Sequence, residues 1–127
     1  MGRRQSIYVD SFGHANPVPA ACRIGNMVYS GGVYGQDPAT RKAADGIEAQ
    51  CALMFAHVRT IVEAAGGTTE DIIKMTFWMD DRSLRPVVNR EWIAMFPDKG
   101  SRPARHALKA NLEGGILVQC DFVAIVG

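Results

Sequence analysis

The chain has 127 residues, a length typical of one domain, and we expect residues 1–127 to fold as a single unit. Its 14 basic and 13 acidic residues leave a formal net charge of +1, which argues against nucleic-acid binding driven by bulk positive charge. Hydrophobic residues make up 47% of the chain, too many for a disordered protein, and no apolar run reaches the roughly 18 residues of a membrane helix. The composition therefore predicts a globular domain with neither a nucleic-acid nor a membrane partner.

The thiol and imidazole side chains give no sign of a metal centre or a cofactor. The cysteines are odd in number and none forms a Cys-x-x-Cys pair, which argues against a disulfide framework or a zinc knuckle and favours the reducing cytoplasm. The histidines lack the spacing of metal ligands. These six residues are Cys22, Cys51, Cys120, His14, His57 and His106.

The first 40 residues predict a short strand, a hairpin and a glycine-rich loop. Residues 5–9 form the strand, and residues 20–24 and 27–31 are predicted to pair around Gly25, since glycine adopts the positive φ that hairpin turns require. Residues 31–38 are glycine-rich but lack the Gly-Lys-Ser/Thr ending of a phosphate-binding loop. We expect these glycines to allow a tight turn or a close approach to a ligand.

The clearest helix is predicted over residues 46–65. Asp45 and Glu48 resemble a capping box at its start, and Gly66-Gly67 provides its stop. An apolar stripe at spacings of three and four residues gives the helix its buried face: Ile47, Cys51, Met54, Val58, Ile61 and Ala65. We expect the sulfur-containing members of that stripe to be core residues, whereas His57 lies beside the stripe and is predicted at the surface or its boundary.

The second half of the chain predicts three more strands and one more helix. The strands cover residues 73–80, 105–110 and 116–125, and the helix covers residues 84–96. Met75, Phe77 and Met79 share one face of the first of these strands, because strand side chains alternate. The simplest way to bury both helical stripes is an α+β fold, in which two helices pack on one face of a mixed β-sheet.

Motifs that carry chemistry are scarce. The sequence contains no Gly-x-Ser-x-Gly elbow, and its cysteines lie in ordinary apolar contexts. Ten of the 14 basic residues are arginine, whose planar guanidinium matches a carboxylate through two parallel hydrogen bonds. An arginine in a pocket would therefore favour a small carboxylic acid as the ligand, but composition does not select which arginine.

The last third of the chain carries a family signature. Arg102-Pro103-Ala104-Arg105, followed by Leu112 and Val118-Gln119-Cys120-Asp121, resembles the signature of the RidA/YjgF family. Members of this family deaminate reactive enamine and imine intermediates and also bear the older name endoribonuclease. Further matches in the same order extend the resemblance over about 110 residues: residues 24–28, Gly32, Pro38, residues 63–66, residues 71–74, Thr76, Asp81, residues 88–89, Trp92 and Phe96.

The resemblance implies a chorismate-mutase-like α+β fold and a homotrimer with three ligand pockets between adjacent subunits. It implies that Arg105 holds the carboxylate of an imino acid while a bound water attacks the imine carbon, which gives a 2-oxo acid and ammonia. Positioning would supply much of the rate, because the free imine already hydrolyses in water. Gln119 would act on that water. The residues that line the substrate pocket would be Gly32, Val18 and Ala107, together with Arg105.

Several positions depart from the family pattern. Gln119 stands where the family usually has a glutamate, and an amide can orient a water but cannot take its proton. Asp121 faces the same side of the strand about 6.5 Å further on, where we do not expect it to reach that water. Smaller or apolar residues replace the usual tyrosine, serine and cysteine of the pocket: Val18, Gly31 and Ala107. Strand alternation predicts that His106 points away from Arg105, in a structural or intersubunit role.

Three functions stay open, and we rank them. The first is a hydrolytic deaminase acting on the imine or enamine of a small carboxylic acid, slowed by the loss of the glutamate; Val18 and Ala107 make its pocket apolar enough for an aminomuconate-type dienamine. The second is a trimer that binds a small carboxylate at Arg105 without turnover. The third is an endoribonuclease that would use the cluster Arg82, Arg85 and Arg90, which ranks last because of the low net charge.

Overall fold

A computed structural model describes residues 2–127, whose backbone is built on one mixed sheet. The strands lie in the order β1-β2-β3-β7-β5-β6, with β4 paired to β7 beside β3. Only β5 and β6 run parallel among the strand pairs of residues 2–127. The elements are β1 (Gln5–Ile7), β2 (Ala21–Ile24), β3 (Met27–Ser30), β4 (Val33–Tyr34), α1 (Ile47–Ala64), β5 (Ile72–Met79), α2 (Arg85–Met95), β6 (Ala104–Lys109) and β7 (Val118–Ile125).

Both helices pack against the same face of the sheet, which we call the helix face; the opposite face is called the open face. Alternation along β5 buries Met75, Phe77 and Met79 under the helices, as predicted from the sequence. From α2, Val88 and Trp92 are buried against the same core. The predicted α+β architecture with two helices on one face is confirmed. Within residues 2–127, no helix combines the length and the apolar character needed to cross a membrane.

The long helix α1 has the predicted stripe and the predicted end, but not the predicted start. Cys51, Met54, Val58 and Ile61 are all shielded from solvent. The stop is confirmed by the positive φ of 95° at Gly66 and by the N–H groups of the two glycines, which bond back into the last turn. The predicted capping box at Asp45 and Glu48 is wrong. Gly46 occupies the N-cap position with a φ of 87°, so no side chain caps the helix.

His57 is not at the surface, as the sequence predicted, but buried at 3% exposure. The segment between β1 and β2 folds over this part of α1 and places Phe12 with its ring centroid 5.1 Å from that of His57. The Nε2 atom of His57 lies 2.7 Å from the Gln36 carbonyl oxygen, which can only accept a hydrogen bond, so Nε2 carries the proton. Burial lowers the pKa of His57 and keeps it neutral. Helix periodicity could not predict the burial of His57, because the residues that cover it belong to the segment between β1 and β2 and not to α1.

The glycine-rich segment predicted as a loop contains strand β4 and a β-bulge. β3 pairs Tyr29 with Val123, and β4 pairs Val33 with Cys120. Three residues, 30–32, therefore lie opposite two residues of β7, and the extra one forces a bulge. The Ser30 hydroxyl fills the gap by accepting a hydrogen bond from the Phe122 N–H at 2.8 Å. A strand of two residues is too short to show the alternation of buried and exposed side chains, so β4 could not be predicted from the sequence pattern.

Candidate functional site

The residues predicted for the site lie on opposite faces of the sheet. Arg105 pairs with the buried Met75 across β5 and β6, so it lies on the helix face. Gln119 pairs with Trp78 across β5 and β7 and lies on the open face. One chain therefore does not bring its guanidinium and its amide together. We treat the two groups as separate half-sites.

The arginine half-site consists of Arg105, Arg85, Phe77 and Trp92. Arg105 is half-buried on the edge strand β6, and its Cζ atom lies 5.1 Å from the ring centroid of Trp92 and 5.7 Å from that of Phe77. Two aromatic faces beside a guanidinium hold it by cation–π attraction and limit its rotamers. The core thereby fixes the direction of the charged group.

No carboxylate balances this positive charge. Among the charged side chains of residues 2–127, only Arg85 is near enough to shift the pKa of Arg105, which it lowers together with burial. An arginine nevertheless stays protonated at neutral pH. Arg85 begins α2, where its Nε donates to the Arg82 carbonyl at 3.0 Å. Two guanidinium groups without an internal counter-ion form a site suited to an anion.

Alternation along β6 places the neighbours of Arg105 as the sequence predicted. Ala107 lies on the helix face with Arg105 and packs against the core. His106 is exposed on the other face, so it does not share a half-site with the Arg105 guanidinium of its own chain.

We call Gln119, Gly32, Tyr34 and His14 the amide half-site, of which Gln119 lies on the open face. Tyr34 of β4 lies beside Gln119 of β7 in the ladder. A Cβ atom at Gly32 would lie 2.9 Å from the Gln119 amide nitrogen, closer than real Cβ contacts allow. Glycine at this position therefore lets the Gln119 amide lie over the bulge. Gly32 and Gln119, both predicted for the site, therefore lie next to each other.

Two other predicted positions lie around the amide half-site. Asp121 shares the open face with Gln119, but its Oδ2 accepts a hydrogen bond from the Trp78 Nε1 at 3.0 Å. That carboxylate is therefore already engaged. Val18 lies in the segment before β2 with its side chain 46% exposed, and its N–H donates to the Asn16 carbonyl at 2.8 Å. The lining role of Val18 stays a prediction.

His14 lies beside the bulge, where no sequence pattern predicted it: a Cβ atom at Gly31 would lie 3.9 Å from its Nε2. It lines a cavity of about 620 Å³ together with Tyr34, Asp10 and Arg41. Its Nε2 atom is shielded from solvent and has no hydrogen-bond partner among residues 2–127. A buried polar atom without a partner costs about 1–3 kcal/mol and is uncommon in folded proteins. In the sequence, the one hint of this position of His14 is the pair Gly31-Gly32, because two glycines leave room for a ring beside them.

The described residues contain little else that could carry chemistry. Burial raises the pKa of the Cys51 thiol to about 12 and that of Cys120 well above its ordinary value, so neither is a thiolate at neutral pH. Within residues 2–127, no three or more His, Cys, Asp or Glu side chains lie close enough together to hold a metal ion. The chemistry that the chain offers is therefore anion binding on one face, and amide and imidazole chemistry on the other.

Comparison with known proteins agrees with this fold. Residues 10–126 match the sequence model of the family described as Endoribonuclease L-PSP. The 2-iminobutanoate/2-iminopropanoate deaminase of Salmonella typhimurium is 31% identical over 104 residues, which cover 80% of this chain and 81% of the relative. A RutC family protein of Haemophilus influenzae is 30% identical over 112 residues, 86% of each chain. The crystal structure of RidA from an Antarctic Psychrobacter superposes with a TM-score of 0.88 at 30% identity, over 96% of this chain and 99% of that one.

The α+β fold with two helices on one face of the sheet matches relatives of one family over nearly the whole chain, and this defines the class of protein. The chain belongs to the RidA/YjgF family. The resemblance seen in the carboxy-terminal third is thereby confirmed, and relatives from Salmonella typhimurium and Escherichia coli bear the name 2-iminobutanoate/2-iminopropanoate deaminase.

Proposed function

We propose that this protein hydrolyses the imine or enamine of a small carboxylic acid to the 2-oxo acid and ammonia, with Arg105 holding the carboxylate. The observation that carries the proposal is the Arg105 guanidinium, seated on Phe77 and Trp92 beside Arg85 with no carboxylate to balance it. The names of two relatives, 2-iminobutanoate/2-iminopropanoate deaminases of Salmonella typhimurium and Escherichia coli, point to the same reaction.

We further propose that the site is shared between subunits of a homotrimer. Arg105 and Gln119 lie on opposite faces, so only a second copy can bring the Arg105 guanidinium to the amide of the first. The open face also exposes a contiguous apolar patch on β2 and β3, formed by Cys22, Ile24, Met27 and Tyr29. Tyr29 alone keeps 55% of its surface exposed. An apolar patch on an uncovered sheet face is a typical protein–protein contact surface.

The reaction then follows from the two half-sites. Arg105 holds the carboxylate through two hydrogen bonds, which fixes the adjacent imine carbon. A water held by Gln119 adds through its oxygen to that carbon, a proton passes to the nitrogen, and a carbinolamine forms. The carbinolamine hydroxyl then loses its proton and the amine nitrogen gains a second one, so the C–N bond breaks and the nitrogen leaves as ammonia. Gln119 can orient the water, but its amide takes no proton, so this step needs another group.

The substrate and the setting follow from the same residues. Val18 and Ala107 offer apolar surface instead of hydroxyl, phenol or thiol groups, which favours a substrate with an apolar or unsaturated chain. The chain requires no cofactor in this scheme. Its thiols are all free, and we propose that it acts in the cytoplasm.

Two other functions compete with this one. A non-catalytic trimer that binds a small carboxylate would use the same arginine half-site without ammonia release. An endoribonuclease, the name of the matching family model, would need salt-dependent RNA binding, for which a net charge of +1 offers no general attraction.

The proposal is tested by ammonia release from 2-iminobutanoate, generated in the cuvette by an amino-acid oxidase. We expect wild-type protein to accelerate release over the uncatalysed rate, and Arg105→Ala to abolish that acceleration. Losing both hydrogen bonds to the carboxylate should cost about 2–5 kcal/mol, at least about thirtyfold in the Kd for 2-oxobutanoate measured by calorimetry. Arg105→Lys should restore little, because an ammonium lacks the planar fork.

The outcomes separate the three functions. Binding of 2-oxobutanoate at Arg105 without ammonia release would favour the binding protein. RNA cleavage that weakens with salt would favour the endoribonuclease. Unchanged affinity in Arg105→Ala, with an unchanged Tm, would remove Arg105 from the site.

A further inference from the structure

The imidazole of His14 is held in place but its Nε2 atom is unused within the chain. The ring packs edge-on against Phe12 with centroids 5.2 Å apart, and Nε2 is buried without a hydrogen-bond partner among residues 2–127. Phe12 itself is only 1% exposed, so the ring of His14 rests on a fixed surface. A fixed imidazole with a free nitrogen is available to a molecule bound beside it.

The free nitrogen points at the bulge that carries Gln119. A Cβ atom at Gly31 would lie 3.9 Å from the His14 Nε2, and one at Gly32 would lie 2.9 Å from the Gln119 amide nitrogen. Because the bulge adds one residue, these two consecutive glycines both face the open side of the sheet. His14 and Gln119 therefore flank the same two-residue segment.

Two polar side chains near His14, those of Arg41 and Tyr34, already have hydrogen-bond partners. The Arg41 guanidinium donates to the Asp10 carbonyl at 2.5 Å and to the Gln36 side-chain oxygen at 3.4 Å. The Tyr34 hydroxyl accepts from the Gln36 amide at 2.8 Å. Asp10 and Arg41 are the charged residues that line this cavity, and they place one charge of each sign beside the imidazole.

The second imidazole of this region is not available either. His57 lies on the other side of Phe12, and its Nε2 is bonded to the Gln36 carbonyl. Its pKa is lowered by burial, and at 3% exposure it does not reach the cavity surface. Of the two imidazoles packed on Phe12, the Nε2 of His14 lacks a hydrogen-bond partner among residues 2–127, whereas the Nε2 of His57 has one.

We propose that His14 is the proton-transfer group of the amide half-site, performing the step that Gln119 cannot perform. This inference rests on the proposed deaminase function. His14 takes a proton from the water held by Gln119 as the water oxygen bonds to the imine carbon, while the imine nitrogen gains a proton from solvent. The carbinolamine hydroxyl then gives its proton to solvent, and His14 returns its own proton to the nitrogen as the C–N bond breaks. One water is consumed, one ammonia is released and the imidazole is regenerated.

The test compares the pH profile of kcat/KM for 2-iminobutanoate in wild type, His14→Gln and His106→Gln. Glutamine can hydrogen-bond through its side chain but takes no proton. We expect His14→Gln to lower kcat by about 10²- to 10⁴-fold, the usual contribution of general acid–base catalysis, and to remove one limb of the profile. His106→Gln removes an exposed imidazole from the far edge strand and serves as the matched control, which should keep that limb.

Chemical rescue provides the second measurement. In His14→Ala the ring is replaced by space, and added imidazole should restore part of the ammonia release in a concentration-dependent way. A purely structural histidine would show no such rescue.

Each outcome has one reading. An active wild type with unchanged rate and pH profile in His14→Gln would overturn the role of His14 and leave the deaminase intact. A wild type no faster than Arg105→Ala would overturn both proposals. A loss of activity in His14→Ala that follows a loss of Tm, without imidazole rescue, would make His14 a packing residue.

Discussion

The two half-sites are built from different parts of the fold. The arginine half-site stands on core side chains: Phe77 is fully buried and Trp92 is 8% exposed, and both also pack against other aromatic rings. The amide half-site stands on a bulge, two glycines and the segment between β1 and β2, at the surface of the sheet. The group that would hold the substrate is therefore fixed by the core, and the groups that would act on it lie where sequence changes do not disturb the core.

Most departures from the expected family pattern lie outside the core. Val18, Gly31 and Gln119 belong to the loop, the bulge or the open face, whereas Ala107 lies on the helix face beside Arg105 and packs against the core. A change at Phe77 or Trp92 would lower the free energy of unfolding together with ligand affinity. A change at Gly31 or Gln119 can alter the chemistry alone.

Complementation between two inactive variants tests whether the two half-sites of one site come from different chains. Arg105→Ala removes the guanidinium, and Gly32→Val displaces the Gln119 amide while the backbone there tolerates a side chain. Each variant alone should be inactive. Refolded together in equal amounts, about a quarter of the shared sites should combine an intact half from each chain and recover activity.

The control is a double mutant that carries Arg105→Ala and Gly32→Val in the same chain. Mixed with either single variant, it cannot form an intact site. Light scattering should show an assembly well above the single-chain mass of 13.8 kDa. A mixture that stays inactive while its subunits demonstrably exchange would place both halves of each site in one chain. A concentration-independent monomer would reject the shared site altogether.

Much of this fold could be predicted because periodicity reports burial within one element. The stripe of α1 and the alternation of β5 are examples, and alternation also placed His106 opposite Arg105. The burial of His57 and the existence of β4 depend on contacts with distant segments. The separation of Arg105 from Gln119 required the register of β5 with both its neighbours. His14 was beyond reach for the same reason, since only the fold brings it to Gly31.

The next largest effect is expected at Gln119. Gln119→Glu supplies a carboxylate that can take the proton of the water, and we expect ammonia release to rise by about tenfold or more. The rise should be larger in the His14→Gln background, because no other group there takes the proton. The coupled assay with all four combinations of these two positions measures this, with Arg105→Ala as the blank.

These four combinations form a double-mutant cycle, which tests whether His14 and Gln119 act in the same step. Independent effects at the two positions would show that His14 and Gln119 do not share one step. A wild-type rate already equal to that of a glutamate-bearing relative would contradict the idea that the amide slows the chemistry.

The smallest effect is expected at Asp121, the remaining carboxylate near the amide half-site. Its Oδ2 accepts the Trp78 Nε1 hydrogen bond at 3.0 Å, so we expect it to support the sheet and not the reaction. Asp121→Ala should lower the free energy of unfolding by about 1–2 kcal/mol, measured by urea denaturation, because a part-buried indole N–H loses its acceptor. Asp121→Asn keeps an acceptor oxygen and should recover most of that stability. In both variants kcat should stay within about twofold of wild type, because His14 and Gln119 are untouched. A loss of kcat in Asp121→Asn at unchanged stability would instead make Asp121 the proton acceptor, and the amide half-site would then extend two residues further along β7.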